Sequence, residues 1–290
     1  MSRIDKALEI AAQKRKAADS GKRSEVEPEV GAREDDLGAR TAALSPRTAM
    51  PVLQPKVPIH GADNPFLVAA HSAGNGASEQ YRKLKSSLVK LSQLGRFENS
   101  LMVTSAVGGE GKTLTSLNLA ITLAQEYDHT VLLVEADIRS PSVLKYLGMQ
   151  AEMGLTDCIL DGVDVGEVLI KTDIGNLTIL PAGRMVPNPV ELFSSKKMQD
   201  LLEEIKNRYA NRYIIVDTTP LLPFAEPQYI ANVVDGVLLV VREGYTSMDK
   251  LNKSLGLLKN HNLLGVICNA VRQTKEYKYG YYGYYGYKDN

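Results

Sequence analysis

The sequence has no tryptophan, four phenylalanines and two cysteines in 290 residues. Aliphatic side chains must therefore supply most of any core, and an apolar share of 44% at this length is enough to bury one. Cys158 and Cys268 lie far apart with no metal-ligand spacing around either. That argues against a disulfide framework or a zinc site and for a reducing compartment. Neither sign of charge is in excess: 34 basic residues balance 34 acidic ones, so coating nucleic acid is not the expected business of the chain. There is no run of 18 apolar residues and no basic-then-apolar leader pattern, so a soluble, intracellular protein is expected.

What is present is spread unevenly. Seven of the 14 tyrosines fall within residues 277–287. Pro46, Pro51, Pro55, Pro58 and Pro65 punctuate a stretch of little periodicity, and residues 21–75 read as a flexible linker. Before it, residues 1–20 suit a helix. Ser2 can cap it, Ile4, Ala7, Leu8 and Ala11 recur at helical spacing, and Lys14, Arg15 and Lys16 favour its carboxyl end. A helix of about five turns is marginal alone. A frayed terminus, a docking helix for a partner and a weak membrane-surface helix all remain open.

From residue 76 the pattern becomes globular. An amphipathic helix over 79–93 carries Leu84, Leu88 and Leu91 on one face. Apolar runs then alternate with helical stretches, at 101–105, 131–135, 177–181, 213–217, 236–241 and 263–269. Runs this short and β-branched suit strands buried on both faces, joined by right-handed crossovers in a mostly parallel sheet. The expected fold is α/β, a central sheet flanked by helices, over residues 76–275.

The strongest local signal is AVGGEGKT, residues 106–113, directly after one strand and before a helix. A phosphate-binding loop of the Walker A kind asks for Gly, four residues, then Gly-Lys-Ser/Thr. Gly111, Lys112 and Thr113 fit, Ala106 stands at the first position, and Gly108 and Gly109 keep the backbone permissive. The amides of Gly108, Gly109, Glu110, Gly111, Lys112, Thr113 and Leu114 can cradle a triphosphate, with Lys112 on the β/γ-phosphates and the Thr113 hydroxyl on Mg²⁺. Two acidic motifs follow at strand ends. Asp217 closes YIIVD, where a carboxylate can hold magnesium. In VLLVEADIRSP, Glu135, Asp137 and Arg139 project on the same side of an extended chain. Ligands of an open parallel sheet bind beyond the carboxyl ends of its strands, so the three motifs converge on one ATP–magnesium site in a P-loop nucleotide-binding fold.

In that order the motifs resemble those of the bacterial tyrosine autokinases of exopolysaccharide synthesis. That family carries Walker A, a second motif DxDxR, Walker B and a carboxy-terminal tyrosine cluster, which here are AVGGEGKT, EADIR, DTTP and YKYGYYGYYGYKDN. EQYRKLK at 79–85 is similar to its ExxRxxR oligomerisation motif, which places Glu79, Arg82 and Lys85 at an interface between copies in a ring. LPAGRMVPNPVEL at 180–192 looks like the family too, and the opening MSRIDKALEIA resembles the subgroup encoded beside exosortase loci. The resemblance implies transfer of the γ-phosphoryl of ATP to tyrosine. Lys112, Asp137, Asp217 and Glu135 are then catalytic, Thr113, Asp137 and Asp217 hold the metal, and Arg139 and Asn269 contact nucleotide. It also implies a membrane-bound polysaccharide co-polymerase as activator, an opposing tyrosine phosphatase, no nucleic acid, and a cytoplasmic location at the inner face of the membrane. With no membrane-spanning half, the chain looks like the split form.

Two departures stand out. Glu135 replaces the first acid of DxDxR and is one methylene longer. Lys85 replaces the last Arg of the oligomerisation motif and lacks its bidentate fork. In the tail, residues 276–290, Gly280, Gly283 and Gly286 separate Tyr277, Tyr279, Tyr281, Tyr282, Tyr284, Tyr285 and Tyr287. A glycine at every third position predicts a flexible strip whose hydroxyls reach a neighbour's site. The alternatives are a nucleotide-binding assembly protein without phosphotransfer and a partition-type ATPase. The latter needs a lysine where Val107 stands.

Overall fold

The computed structural model describes residues 64–71, 76–126, 129–208 and 212–272. The helix expected over 1–20, most of the linker and the tyrosine tail lie outside the described residues. Each apolar run forms a strand: β1 (Ser100–Ser105), β2 (Thr130–Glu135), β4 (Leu177–Leu180), β5 (Arg212–Asp217), β6 (Gly236–Arg242) and β7 (Leu263–Asn269). The pattern did not reveal β3 (Ile170–Lys171), two residues too short to show a period. The order across the sheet is β3-β4-β2-β5-β1-β6-β7, and every pairing is parallel except β3 with β4.

Alternation along the strands divides the core into two layers. Leu101, Val103, Val131, Leu133, Tyr213 and Ile215 face one side, where they pack under α1 (Gly76–Gln93), α2 (Lys112–Ala124) and α3 (Val143–Leu147). Met102, Leu132, Val134, Ile214 and Val216 face the other. That side is covered by α4 (Leu155–Leu160), α5 (Val165–Val168), α6 (Pro189–Ser194), α7 (Lys196–Asn207), α8 (Glu226–Ala231) and α9 (Met248–Leu257). Both faces of the central strands are dry, as parallel pairing requires. Among the described residues no helix is long and apolar enough to cross a membrane.

Residues 64–71, which composition places in the linker, are docked on this domain. Leu67 is fully buried. Asn118 of α2 accepts from the Ala69 amide at 2.9 Å and donates to the Phe66 carbonyl at 2.9 Å. One apolar anchor and a two-way side-chain clamp are enough to fix a segment that shows no periodicity.

Candidate active site

β2 and β5 end level with one another, and β1 between β5 and β6 runs two residues further. Val103 and Glu135 are both register partners of Asp217. The chain leaves β1 through Ala106–Gly111 and enters α2 at Lys112 without a side-chain cap or an acidic first turn. The first bond inside the helix runs from the Thr115 amide to the Gly111 carbonyl at 2.9 Å. The amides of Lys112, Thr113 and Leu114 therefore have no partner within the helix, the arrangement that receives phosphate. Gly111 suits glycine because its φ is +90°, and a Cβ there would also push aside the Asn269 amide, whose Nδ2 would lie 2.1 Å away.

Four of the expected site residues meet where α2 starts. Lys112 Nζ donates to Asp137 Oδ2 at 2.5 Å and stands 3.9 Å from Asp217. Thr113 donates to Asp217 Oδ2 at 2.7 Å, and the Ser116 hydroxyl lies 3.0 Å from Asp217 Oδ1. Burial pushes the Asp217 carboxyl above the ordinary aspartate range, although Lys112 and the two hydroxyls pull the other way. Burial opposes the charge of Lys112 as well, but Asp217 and Asp137 outweigh it and raise the ammonium above its usual value. Two acids facing one ammonium are suited to a further cation.

A wall toward β6 and β7 supports the loop. Glu110 is buried, accepts from the Val107 amide at 2.9 Å and meets the Thr246 hydroxyl. The Glu110 carboxylate is thus turned under the loop, away from arriving phosphates. Asn269 donates to the Glu110 carbonyl at 2.9 Å, and Arg242 reaches the Gly109 carbonyl at 3.3 Å. Asn269, expected at the nucleotide, therefore braces the loop that would hold it.

Two expected members point elsewhere. Glu135 Oε1 accepts from the Ser142 and Val143 amides at 2.5 and 2.7 Å, and Oε2 from the Ala182 amide at 3.4 Å. Its side chain ties the end of β2 to α3 and to the residues after β4. Arg139 donates to Glu226 at 2.7 Å and lies over the Phe224 ring at 4.6 Å, so the guanidinium is engaged away from the loop. On α1, Glu79 and Arg82 pair with each other at 3.0 Å, and Lys85 reaches Glu126 at 2.9 Å.

Ser116, Thr246, Arg242 and Glu226 were missed from the sequence. Ser116 was findable, because three residues beyond Thr113 is the same helix face. The other three are brought in by tertiary contacts that carry no local signal.

The sheet order, the glycine loop and the acids at neighbouring strand ends define a P-loop nucleotide-binding protein. Residues 99–263 match the family model described as "AAA domain". The chain is 37% identical over 207 residues to the tyrosine-protein kinase YwqD of Bacillus subtilis, covering 70% of this chain and 85% of that protein. Among solved structures it is similar to the kinase domain of Escherichia coli tyrosine kinase ETK, with TM-score 0.64 and 28% identity over 72% of this chain and 83% of that one. It is also similar to the chimerical protein CapA2B2, with TM-score 0.66 and 26% identity over 72% and 91% of the two chains. The chain belongs to the bacterial tyrosine-protein kinases, which sets aside the partition-type alternative.

Proposed function

We propose that this kinase phosphorylates tyrosines 277–287 of a second copy of itself and thereby regulates exopolysaccharide synthesis or export. The observation that carries the reading is the convergence of Lys112, Thr113, Asp137 and Asp217 beyond the carboxyl ends of β1, β2 and β5. The hydroxyl of Thr113 and the carboxylates of Asp137 and Asp217 are hard oxygen donors, which fits Mg²⁺, and phosphate oxygens and water would complete its shell. A bound ion would supply positive charge that offsets that of the phosphates.

The residues of the chain do the rest. The α2 amides and Lys112 orient the triphosphate and offset the charge on the transferred group. Asp217, braced by Thr113 and Ser116, holds the metal side. Asp137 takes the proton of the acceptor hydroxyl as the tyrosine Oη bonds to the γ-phosphorus. The bond from that phosphorus to the bridging oxygen breaks, and its electron pair leaves with ADP.

The rest of the proposal concerns assembly. Glu79, Arg82 and Lys85 on α1 contribute to a ring-like oligomer by exchanging their present partners across copies. A membrane-bound co-polymerase recruits the cytoplasmic protein to the inner face of the membrane and activates it, and a tyrosine phosphatase resets it. The opening MSRIDKALEIA supports the exosortase-associated subgroup. Each phosphate adds about −1.5 to −2 charges, so a fully modified tail carries on the order of −10 and loosens the ring. Intact mass before and after Mg-ATP tests the reading. Wild type should gain mass in single-phosphate steps, while Lys112→Ala and a chain lacking 277–290 should gain none. No gain in the wild type, with its co-polymerase present, would reject it.

A further inference from the structure

The last described residues run beside the phosphate loop. β7 lies next to β6, with Asn269 the register partner of Arg242. Past β7 the Arg272 amide donates to the Glu243 carboxylate at 2.5 Å, which ties the start of the tail to the end of β6. Tyr277 follows five residues later, and five extended residues span about 17 Å. The first tail tyrosine is therefore within reach of the surface around Arg242.

That surface is cationic and aromatic. The Arg242 guanidinium lies 5.5 Å from the centre of the Tyr245 ring, and Lys250 Nζ of α9 lies 6.0 Å from it. Tyr245 is 52% exposed, and a Cβ on Gly109 would stand 3.7 Å from its hydroxyl, so the ring borders the phosphate loop. The acids nearest in sequence have other partners: Glu243 accepts from the Arg272 amide, and Asp249 pairs with Lys253 at 2.9 Å. A single phosphoryl group beside the ring is within reach of both long cationic side chains.

We infer that Arg242, Tyr245 and Lys250 form a binding site for phosphotyrosine, and that its occupant is the modified tail of the same chain. The inference rests on the proposed function, which supplies the phosphate, and adds where the tail goes afterwards. The tyrosines of an unmodified tail bring no charge, whereas each phosphate brings about −1.5 to −2 and three acceptor oxygens. An arginine and a lysine at one ring meet such a group with charge-assisted bonds, and the exposed ring of Tyr245 is a platform for the one that carries it. The short connection makes the encounter intramolecular, at an effective concentration in roughly the millimolar range. Capture takes a spent tail out of a neighbour's site and leaves that site to an unmodified one.

Fluorescence anisotropy with synthetic copies of residues 276–290 tests this on the full-length protein without ATP. One peptide carries phosphate on Tyr277 and the other carries none. Protein treated with a tyrosine phosphatase should bind the phosphopeptide at least about tenfold more tightly than the plain one. Lys250→Gln and Arg242→Gln should each weaken phosphopeptide binding about tenfold, and Lys250→Arg should bind as wild type does. The control is Lys259→Gln, which removes the same charge beyond the far end of α9 and should leave binding alone. Protein first incubated with Mg-ATP and then freed of nucleotide should bind added phosphopeptide at least about tenfold more weakly, because its own tail fills the site. Equal affinity for the two peptides, or equal loss in Lys250→Gln and Lys259→Gln, would overturn the site. Undiminished binding by the phosphorylated protein would overturn the tail as its occupant. Wild type that gains no phosphate from Mg-ATP, read separately by intact mass, would instead overturn the function on which the inference rests.

Discussion

Asp217 and Asp235 sit at opposite ends of the sheet and carry opposite perturbations. At the amino edge, just before β6, Asp235 accepts from the Asn99 and Ser100 amides, each at 3.0 Å, from the Ser100 hydroxyl at 2.9 Å, and pairs with Lys206. Burial pushes its carboxyl up, but those four partners win and hold it below the ordinary aspartate range. At the carboxyl edge, Asp217 is more deeply buried, has only hydroxyls and a more distant ammonium, and is held above that range. The partners of one acid outweigh its burial; those of the other do not. An acid held above its ordinary range at the carboxyl edge marks that edge as the candidate site, and the well-paired acid marks the other as structural.

Asp217→Asn breaks that comparison most severely. It removes the carboxylate that Thr113 and Ser116 orient, and tyrosine phosphorylation should fall by about 10³-fold or more, read as initial rate by intact mass. The same variant should unfold in urea at the wild-type midpoint or above it, because a strained buried charge has gone. A loss of stability as large as that from replacing Asp235 would mean that the two edges are not specialised.

Asp235→Ala is the converse and the next in size. Losing charge-assisted bonds and leaving buried donors unpaired should cost about 2–3 kcal/mol in urea unfolding at pH 7, with phosphorylation per folded molecule unchanged. The pH dependence follows from the depressed value in the folded state. The contribution is full above the unfolded aspartate value of about 3.9 and disappears as pH falls through the lower folded value. Wild type and variant should therefore converge in stability on acidification below about pH 4.

The same contrast accounts for what could be read from the amino acids. The strands were legible because each is a dense apolar run, and the loop because glycine, lysine and threonine must recur at set spacing. Asp137 and Asp217 could be placed together because both follow strand ends at the carboxyl edge of a parallel sheet. That rule could not tell Glu135 from Asp137, since the partners of Glu135 are backbone amides at Ser142, Val143 and Ala182, and amides carry no residue type. The pairing of Arg139 was hidden for a related reason. Its partner, Glu226, is a buried acid 87 positions away with no strand end to announce it. Residues 64–71 looked like linker because their hold on α2 depends on one leucine and one asparagine.

A smaller effect separates the loop wall from the reacting centre. Thr246 accepts from the Arg242 amide at 2.9 Å and meets Glu110. Thr246→Val keeps the shape but removes the bond to the Arg242 amide and the one to Glu110 Oε1, leaving Glu110 only its bond from the Val107 amide. About tenfold weaker binding of an ATP analogue is expected, from roughly 1.4 kcal/mol of disordered loop, with Thr246→Ser restoring it. Equal loss in both variants would point to packing by the methyl group in place of the hydroxyl.

Glu135→Gln should have the smallest effect and is the finest probe of the difference between the strand ends. Glutamine keeps an oxygen for the Ser142 and Val143 amides and presents its NH₂ to the Ala182 amide, the longest of the three contacts at 3.4 Å. Burial holds the Glu135 carboxyl above its usual range, against the pull of those amides, so neutralising it also removes a penalty. The two terms oppose, and stability at pH 7 should move by less than about 1 kcal/mol. Their balance shows in the slope with pH. An acid raised in the folded state makes the protein more stable as pH falls through that folded value toward the unfolded one, and Glu135→Gln should flatten this rise. A variant that keeps the full slope would transfer it to Asp217, the other raised acid at this edge, and would leave Glu135 as a purely geometric spacer between β2 and β4.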